Sequence, residues 1–211
     1  MLQSKMNTIS SAYSELSKSK SEYVQFYMKN HEQIPTWIMI KVVNFSTFID
    51  VLHNSKTNVT HAICKLYSMY DDHNLPNVKL LIGSLHWLRR VRNSCAHNER
   101  VYCIHQTQAR NNSASGRILD PYYAQLPTSY SRCTEKNIFD ILIYFKYFLP
   151  KEEFAPMIME LKNMLIELQN TLQPNAFDNV RGQMGIKNLN VLDTLIALPK
   201  SKIEYHKFDT L

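Results

Sequence analysis

Glycine is almost missing from this chain, with four in 211 residues against eight prolines. Sheet-rich folds with many tight turns, and glycine-rich phosphate loops, need more of it. Long hydrophobic runs are missing too. The segment from Ile34 to Leu52 is broken by Lys41, Asn44 and Asp50. The run Ile138 to Leu149 is too short to span a bilayer and holds Asp140 and Lys146. Cys64, Cys95, Cys103 and Cys133 form no regular framework, and the polar stretch MLQSKMNTISSAYSELSKSK reads as neither leader nor anchor. A cytoplasmic, reduced protein with no membrane span is expected. Lysine is absent between Arg89 and Arg117, and Glu99 is the only acid there.

What fills that interval is arginine, six of the eight in the chain. Its planar fork suits phosphate better than the point charge of lysine. The net charge of +6 permits an anionic partner, and a merely solvated basic face is the plain alternative. The apolar share of 45% and charged share of 20% are ordinary for a globular protein. The length suits one domain over residues 1–211, with no internal repeat and no separate second domain.

Periodicity predicts an all-α fold of about five or six helices. The first thirty residues read as one polar helix that gains Tyr23, Phe26 and Tyr27 late. Pro35 starts a second, running to Leu52, whose Trp37, Ile38, Ile40, Val43, Phe45, Phe48 and Ile49 suit a buried core. A third is expected from about Asn58 to Tyr70. The fourth runs from about Asn77 to Arg100, with Val78, Leu81, Leu85, Leu88, Arg92 and Cys95 at alternating spacings of three and four. Arg92 thus occupies a seam otherwise apolar, a costly place for a cation unless it snorkels, pairs with an acid or faces a polar cleft. An irregular loop covers about 102–134, helices resume at about 135–148 and 151–172, and Pro174 ends the latter. A C-terminal extension, about 175–211, holds one apolar stretch from Leu189 to Leu198.

The eleven residues Arg92-Asn93-Ser94-Cys95-Ala96-His97-Asn98-Glu99-Arg100-Val101-Tyr102 carry the chemistry. Arginine, a polar residue and a histidine five positions after the arginine resemble the R-N-x-x-x-H motif of HEPN domains. The longer string resembles Abi-like (abortive infection) proteins of the AbiD/AbiF type. So do Ile34-Pro35-Thr36-Trp37-Ile38-Met39-Ile40, Phe45-Ser46-Thr47 and Met184-Gly185-Ile186, which extends the resemblance from about residue 22 to 190. Members of that family usually have a longer region upstream, so the chain is expected to begin near the middle of the pattern. The resemblance implies a HEPN-type helical bundle and a homodimer with a composite cleft. It also implies RNA cleavage, in phage defence or as the toxin of a pair with an RNA or protein antitoxin.

The chemistry stands without the resemblance. RNA brings its own nucleophile, the 2′-hydroxyl, so cleavage needs a base, charge stabilisation at phosphate and an acid for the leaving oxygen. Histidine suits proton transfer near neutral pH, and arginine suits the developing phosphate charge. His97 is therefore expected to move the proton and Arg92 to hold the phosphate, with no metal or other cofactor. Positions five apart diverge by about 140° on a helix, so Arg92 and His97 converge only through a break or across a dimer. Asn93, His97 and Arg100 share a face if the helix persists, Asn93 orienting the imidazole and Arg100 guiding RNA. Arg89 and Tyr102 complete the expected substrate contacts. Tyr122, Tyr123 and Tyr130 either stack on unpaired bases or simply pack.

Cys95, His97, Cys103 and His105 invite a zinc reading, but one-residue spacings within a helix point the pairs apart. Cys95 beside His97 diverges by about 200°, so it is read as a small core residue rather than a nucleophile. The competing functional class is a helical protein that binds RNA or a partner without cutting.

Overall fold

The computed structural model describes residues 2–107, 121–126 and 135–200. The expected loop at 102–134 therefore lies partly outside the described residues, Tyr130 included. Two compact units divide the chain, Met1–Thr60 and His61–Leu211.

The first unit holds α1 (Leu2–Lys18), α2 (Glu22–Asn30), α3 (Thr36–Val42) and α4 (Phe45–His53). On α1, Thr8, Ala12 and Leu16 recur every four residues and form its buried face. Leu16, Val24 and Ile38 make a fully buried cluster, flanked by Tyr27, Met28, Ile34, Met39 and Val42. The single helix expected from Pro35 to Leu52 is broken at Asn44. Asn44 caps α4, its side chain accepting the Thr47 N–H at 3.0 Å. The Glu15 carboxylate accepts from the backbone N–H of Asn44, its amide and the Thr47 hydroxyl. The backbone N–H of Asn44 and that of Thr47, both freed by the break, thus keep partners, which lowers the cost of turning there. The N-terminal thirty residues likewise form two helices, parted at Ser19-Lys20-Ser21. Trp37 and Ile40, expected in the core, are each 52% exposed, because α3 turns Ile38 inward instead.

α5 (Thr57–Leu66) runs across the boundary into the second unit, which holds α6 (Val78–Ala96), α7 (Ile138–Phe148), α8 (Lys151–Thr171), α9 (Pro174–Gln183) and α10 (Asn190–Ala197). The all-α class holds. Ten helices, not five or six, stand among the described residues, because side-chain caps and short linkers split segments whose apolar pattern runs on. α8 stops at Thr171, as expected short of Pro174, and Pro174 itself opens α9, in the first turn where proline loses nothing. Among the described residues the paired strands are β1 (Gln106–Thr107) and β2 (Glu135–Lys136), antiparallel, with Gln106 opposite Lys136, beside one isolated bridge between Tyr70 and Pro76. Among the described residues no helix is long and apolar enough to cross a membrane.

Within the second unit α7 is buried almost from end to end. Asn137 and Asp140 cap each other's backbone at its start, and the Tyr123 hydroxyl donates to Asp140 at 2.7 Å. Tyr122 and Tyr123 are buried, so they pack rather than face a ligand. Gly185, at φ 79°, lies against this cap: a Cβ there would come within 2.2 Å of the Asn137 side chain. The Met184 carbonyl accepts the Phe139 N–H at 2.9 Å. The Met184-Gly185-Ile186 segment thus has a structural duty, bracing the first turn of α7. Lys146 is buried, with Nζ donating to the carbonyls of Leu195 and Ile196 at the end of α10. Burial, with Lys151 and Lys200 nearby, lowers its pKa to about 8.

Candidate nucleic-acid interface

α6 carries two stripes that serve opposite ends. Asn77 caps it, accepting the Leu80 N–H at 2.9 Å. The core stripe passes through Leu80, Ser84, Trp87 and Ser94. The Trp87 indole N–H donates to the Asn137 carbonyl at 3.1 Å, which fixes α6 to the cap of α7. The second stripe is Gly83, His86, Arg90, Asn93 and His97, at steps of three, four, three and four. It forms one wall of an open groove of about 580 Å³, which Arg89, Glu99 and Lys136 also line. Lys136 reaches the groove from β2, its Nζ 3.7 Å from the place a Cβ on Gly83 would take. The Arg90 guanidinium lies 5.5 Å from the centre of the Trp87 ring.

Arg92 is not on the seam. It is exposed, and so is Cys95, while Ser94 is buried in their place. The reason is Trp87: once its ring and N–H are committed to α7, residues 91 and 94 share its side of the helix and 92 and 95 turn outward. The Arg92 Nη1 donates to Asn93 Oδ1 at 3.0 Å. Asn93 is thereby tied to Arg92 through its Oδ1.

The helix ends inside the motif rather than at Arg100. Asn98 adopts φ 55°, Asn98 N–H bonds to the Cys95 carbonyl and Glu99 N–H to the Ser94 carbonyl at 2.9 Å. That pair of bonds around a left-handed residue is a Schellman motif. His97 is the last residue before the reversal, and its backbone N–H still bonds to Asn93. Arg100 therefore leaves the face shared by Asn93 and His97. It precedes a short 3₁₀ turn, Val101–Cys103, and its carbonyl accepts from Cys103 Sγ. Tyr102 lies in that turn, at the surface. Of the expected site residues the groove gathers Arg89, Asn93 and His97, while Arg92, Arg100 and Tyr102 do not line it.

Three basic groove residues escaped the sequence reading as site residues. His86 and Arg90 were available from their spacing to Asn93 and His97. Lys136 was not, since only the β1–β2 pairing brings it there. Among the described residues no three His, Cys, Asp or Glu side chains gather as metal ligands. Cys64 is fully buried and its thiol is pushed up to about 11 by burial, which makes it a packing residue rather than a nucleophile.

The Schellman turn is open to test. Asn98→Gly should leave stability and function unchanged, since both residues tolerate the left-handed region. Asn98→Val should cost about 1–2 kcal/mol in urea unfolding and displace His97. Equal stability of the two variants would show that the turn does not hold this conformation.

Comparison with known proteins adds one result. The family model for Abi-like protein matches residues 2–103. Over that stretch the chain is similar to Abi-like proteins. The match contains α6, the whole Arg92–His97 motif and the Ile34–Ile40 segment, and it ends before Met184-Gly185-Ile186. No curated protein and no solved structure matches this chain.

Proposed function

We propose that this Abi-like chain is a cytoplasmic, metal-independent endoribonuclease of the HEPN type. It would act in abortive infection of phage-infected cells or as a toxin restrained by an RNA or protein antitoxin. The observation that carries the proposal is the groove along α6. A histidine at its mouth shares it with Arg89, Arg90 and Lys136, against one acid, Glu99. From Gly83 to His97 the helix rises about 20 Å, which matches several nucleotides of a strand better than one small anion. Cations along such a wall gather phosphates, and the resulting affinity falls with salt.

In the proposed reaction the 2′-hydroxyl oxygen attacks the adjacent phosphorus and the bond to the 5′-oxygen breaks. His97 transfers a proton in that step, either from the attacking hydroxyl or to the leaving oxygen, and solvent water carries the other proton. Arginine stabilises the charge that builds on the phosphoryl oxygens. Arg92 and His97 point in different directions on one helix, so the cleft is proposed to be shared by two copies, Arg92 of one serving His97 of the other. The second reading, binding without cutting, draws on the fact that Arg92 does not line the groove.

The products decide between them. Cleavage should survive EDTA and leave 2′,3′-cyclic phosphate or 3′-phosphate ends. Strict need for magnesium with 5′-phosphate ends would indicate metal-assisted hydrolysis instead. Tight RNA binding with no products would leave a binding module.

A further inference from the structure

The first unit exposes an aromatic cluster that the proposed reaction does not use. Phe26 is 56% exposed, Trp37 52% and Tyr23 43%. Tyr27, half-buried, stands at the centre, its ring meeting Phe26 edge-on at 5.8 Å and Trp37 edge-on at 5.8 Å. The His31 imidazole lies on Tyr27 at 4.9 Å with an interplanar angle of 26°. Lys41 Nζ sits 5.5 Å from the centre of the Trp37 ring. Val24 of α2 and Ile38 of α3 are fully buried in one cluster, so the two helices bearing these rings are fixed to each other.

We infer that this cluster is a stacking platform for unpaired bases of single-stranded RNA, a second contact separate from the α6 groove. The inference rests on RNA being the ligand of this protein. A nucleotide joins a flat heterocycle to a phosphate, and the cluster offers a partner for each. Tyr27 already holds a flat heterocycle, the His31 ring, in stacked geometry. Exposed Phe26 and Trp37 present faces of the kind on which bases stack. Lys41 places an ammonium beside Trp37, where a stacked base would bring its phosphate. Between Lys18 and Lys41 the chain has four lysines against two glutamates, a balance that favours a polyanion. The three exposed rings offer on the order of 300 Å², well short of the roughly 800 Å² per partner of a stable protein interface.

The test uses the full chain with 2′-O-methyl oligoadenylate, which keeps bases and phosphates but has no free 2′-hydroxyl to react. An abasic oligomer of equal length supplies the phosphates alone. Wild type should bind oligoadenylate at least about tenfold more tightly than the abasic oligomer, as one lost stack implies, with quenching of the exposed Trp37. Phe26→Ala with Trp37→Ala should remove that advantage and leave abasic affinity unchanged, while Trp37→Phe should keep most of it. Both residues are more than half exposed, so the fold should survive, as circular dichroism would verify. Equal affinity of wild type for the two oligomers overturns the inference, as does undiminished oligoadenylate binding by the double variant. A double variant that binds RNA normally but changes from dimer to monomer in sedimentation also overturns it, and marks an interface between copies. The ribonuclease proposal fails separately: a platform that binds the inert probe while ordinary RNA stays uncut keeps the platform and rejects the cleavage.

Discussion

His97→Ala should abolish RNA cleavage and leave affinity for RNA nearly intact. A group that moves a proton acts mainly in the transition state, so its loss lowers the rate far more than it weakens binding. The loss should lie within the roughly 10²–10⁴-fold that general acid–base groups supply. Stability should hardly change. His97 is exposed, its backbone makes the cap bonds, and its φ of −97° is open to alanine. Arg89→Ala and Arg90→Ala should show the opposite split, weaker binding with a salt dependence shallower by about one counterion each. Gel assays of cleavage at saturating RNA, beside affinities at several salt concentrations, measure both quantities. A folded His97→Ala protein that cuts at the wild-type rate would remove His97 from catalysis and leave the groove as a binding site.

That His97 and Asn93 share a face was legible because four-residue helical spacing is a local property. The helix type, its N-cap at Asn77 and the all-α class were legible on the same ground. The misplaced seam shows where local reasoning stops. Leu81, Leu85 and Leu88 point on to Arg92 and Cys95 by apolar spacing alone, yet Trp87 and its bond to the Asn137 carbonyl turn the helix toward Ser94. That partner lies fifty residues later, beyond any periodicity. Lys136 entered the groove by the same long-range route, through its pairing with Gln106. The end of α6 was half legible: asparagine is the residue after glycine most at ease in the left-handed region, but nothing local required Asn98 to take it. Asn44 is a similar case, since its break depends on Glu15 from another helix.

Mixing two inactive variants should restore activity if the cleft is composite. Arg92 is exposed and tied to Asn93 rather than aimed into the groove that His97 lines. On one helix the two residues stay about 140° apart, and the Schellman turn comes after both, so it cannot bring them together. A second copy can, if a two-fold axis sets Arg92 of one chain beside His97 of the other, as proposed above. Arg92→Ala alone and His97→Ala alone should each be dead. After dissociation and reassociation at equal concentration, half of the dimers carry one variant of each kind. One of the two clefts in those dimers then holds a native Arg92 and a native His97. The mixture should recover about a quarter of wild-type cleavage, the share that random two-fold pairing provides. A mixture as inactive as its components would place both residues in one chain's cleft, and an Arg92→Ala protein that cuts at the wild-type rate would remove Arg92 from the chemistry altogether. Arg92→Lys then tests the fork: a lysine keeps the charge but loses the planar geometry, so an unchanged rate in that variant would leave Arg92 no role at phosphate beyond charge.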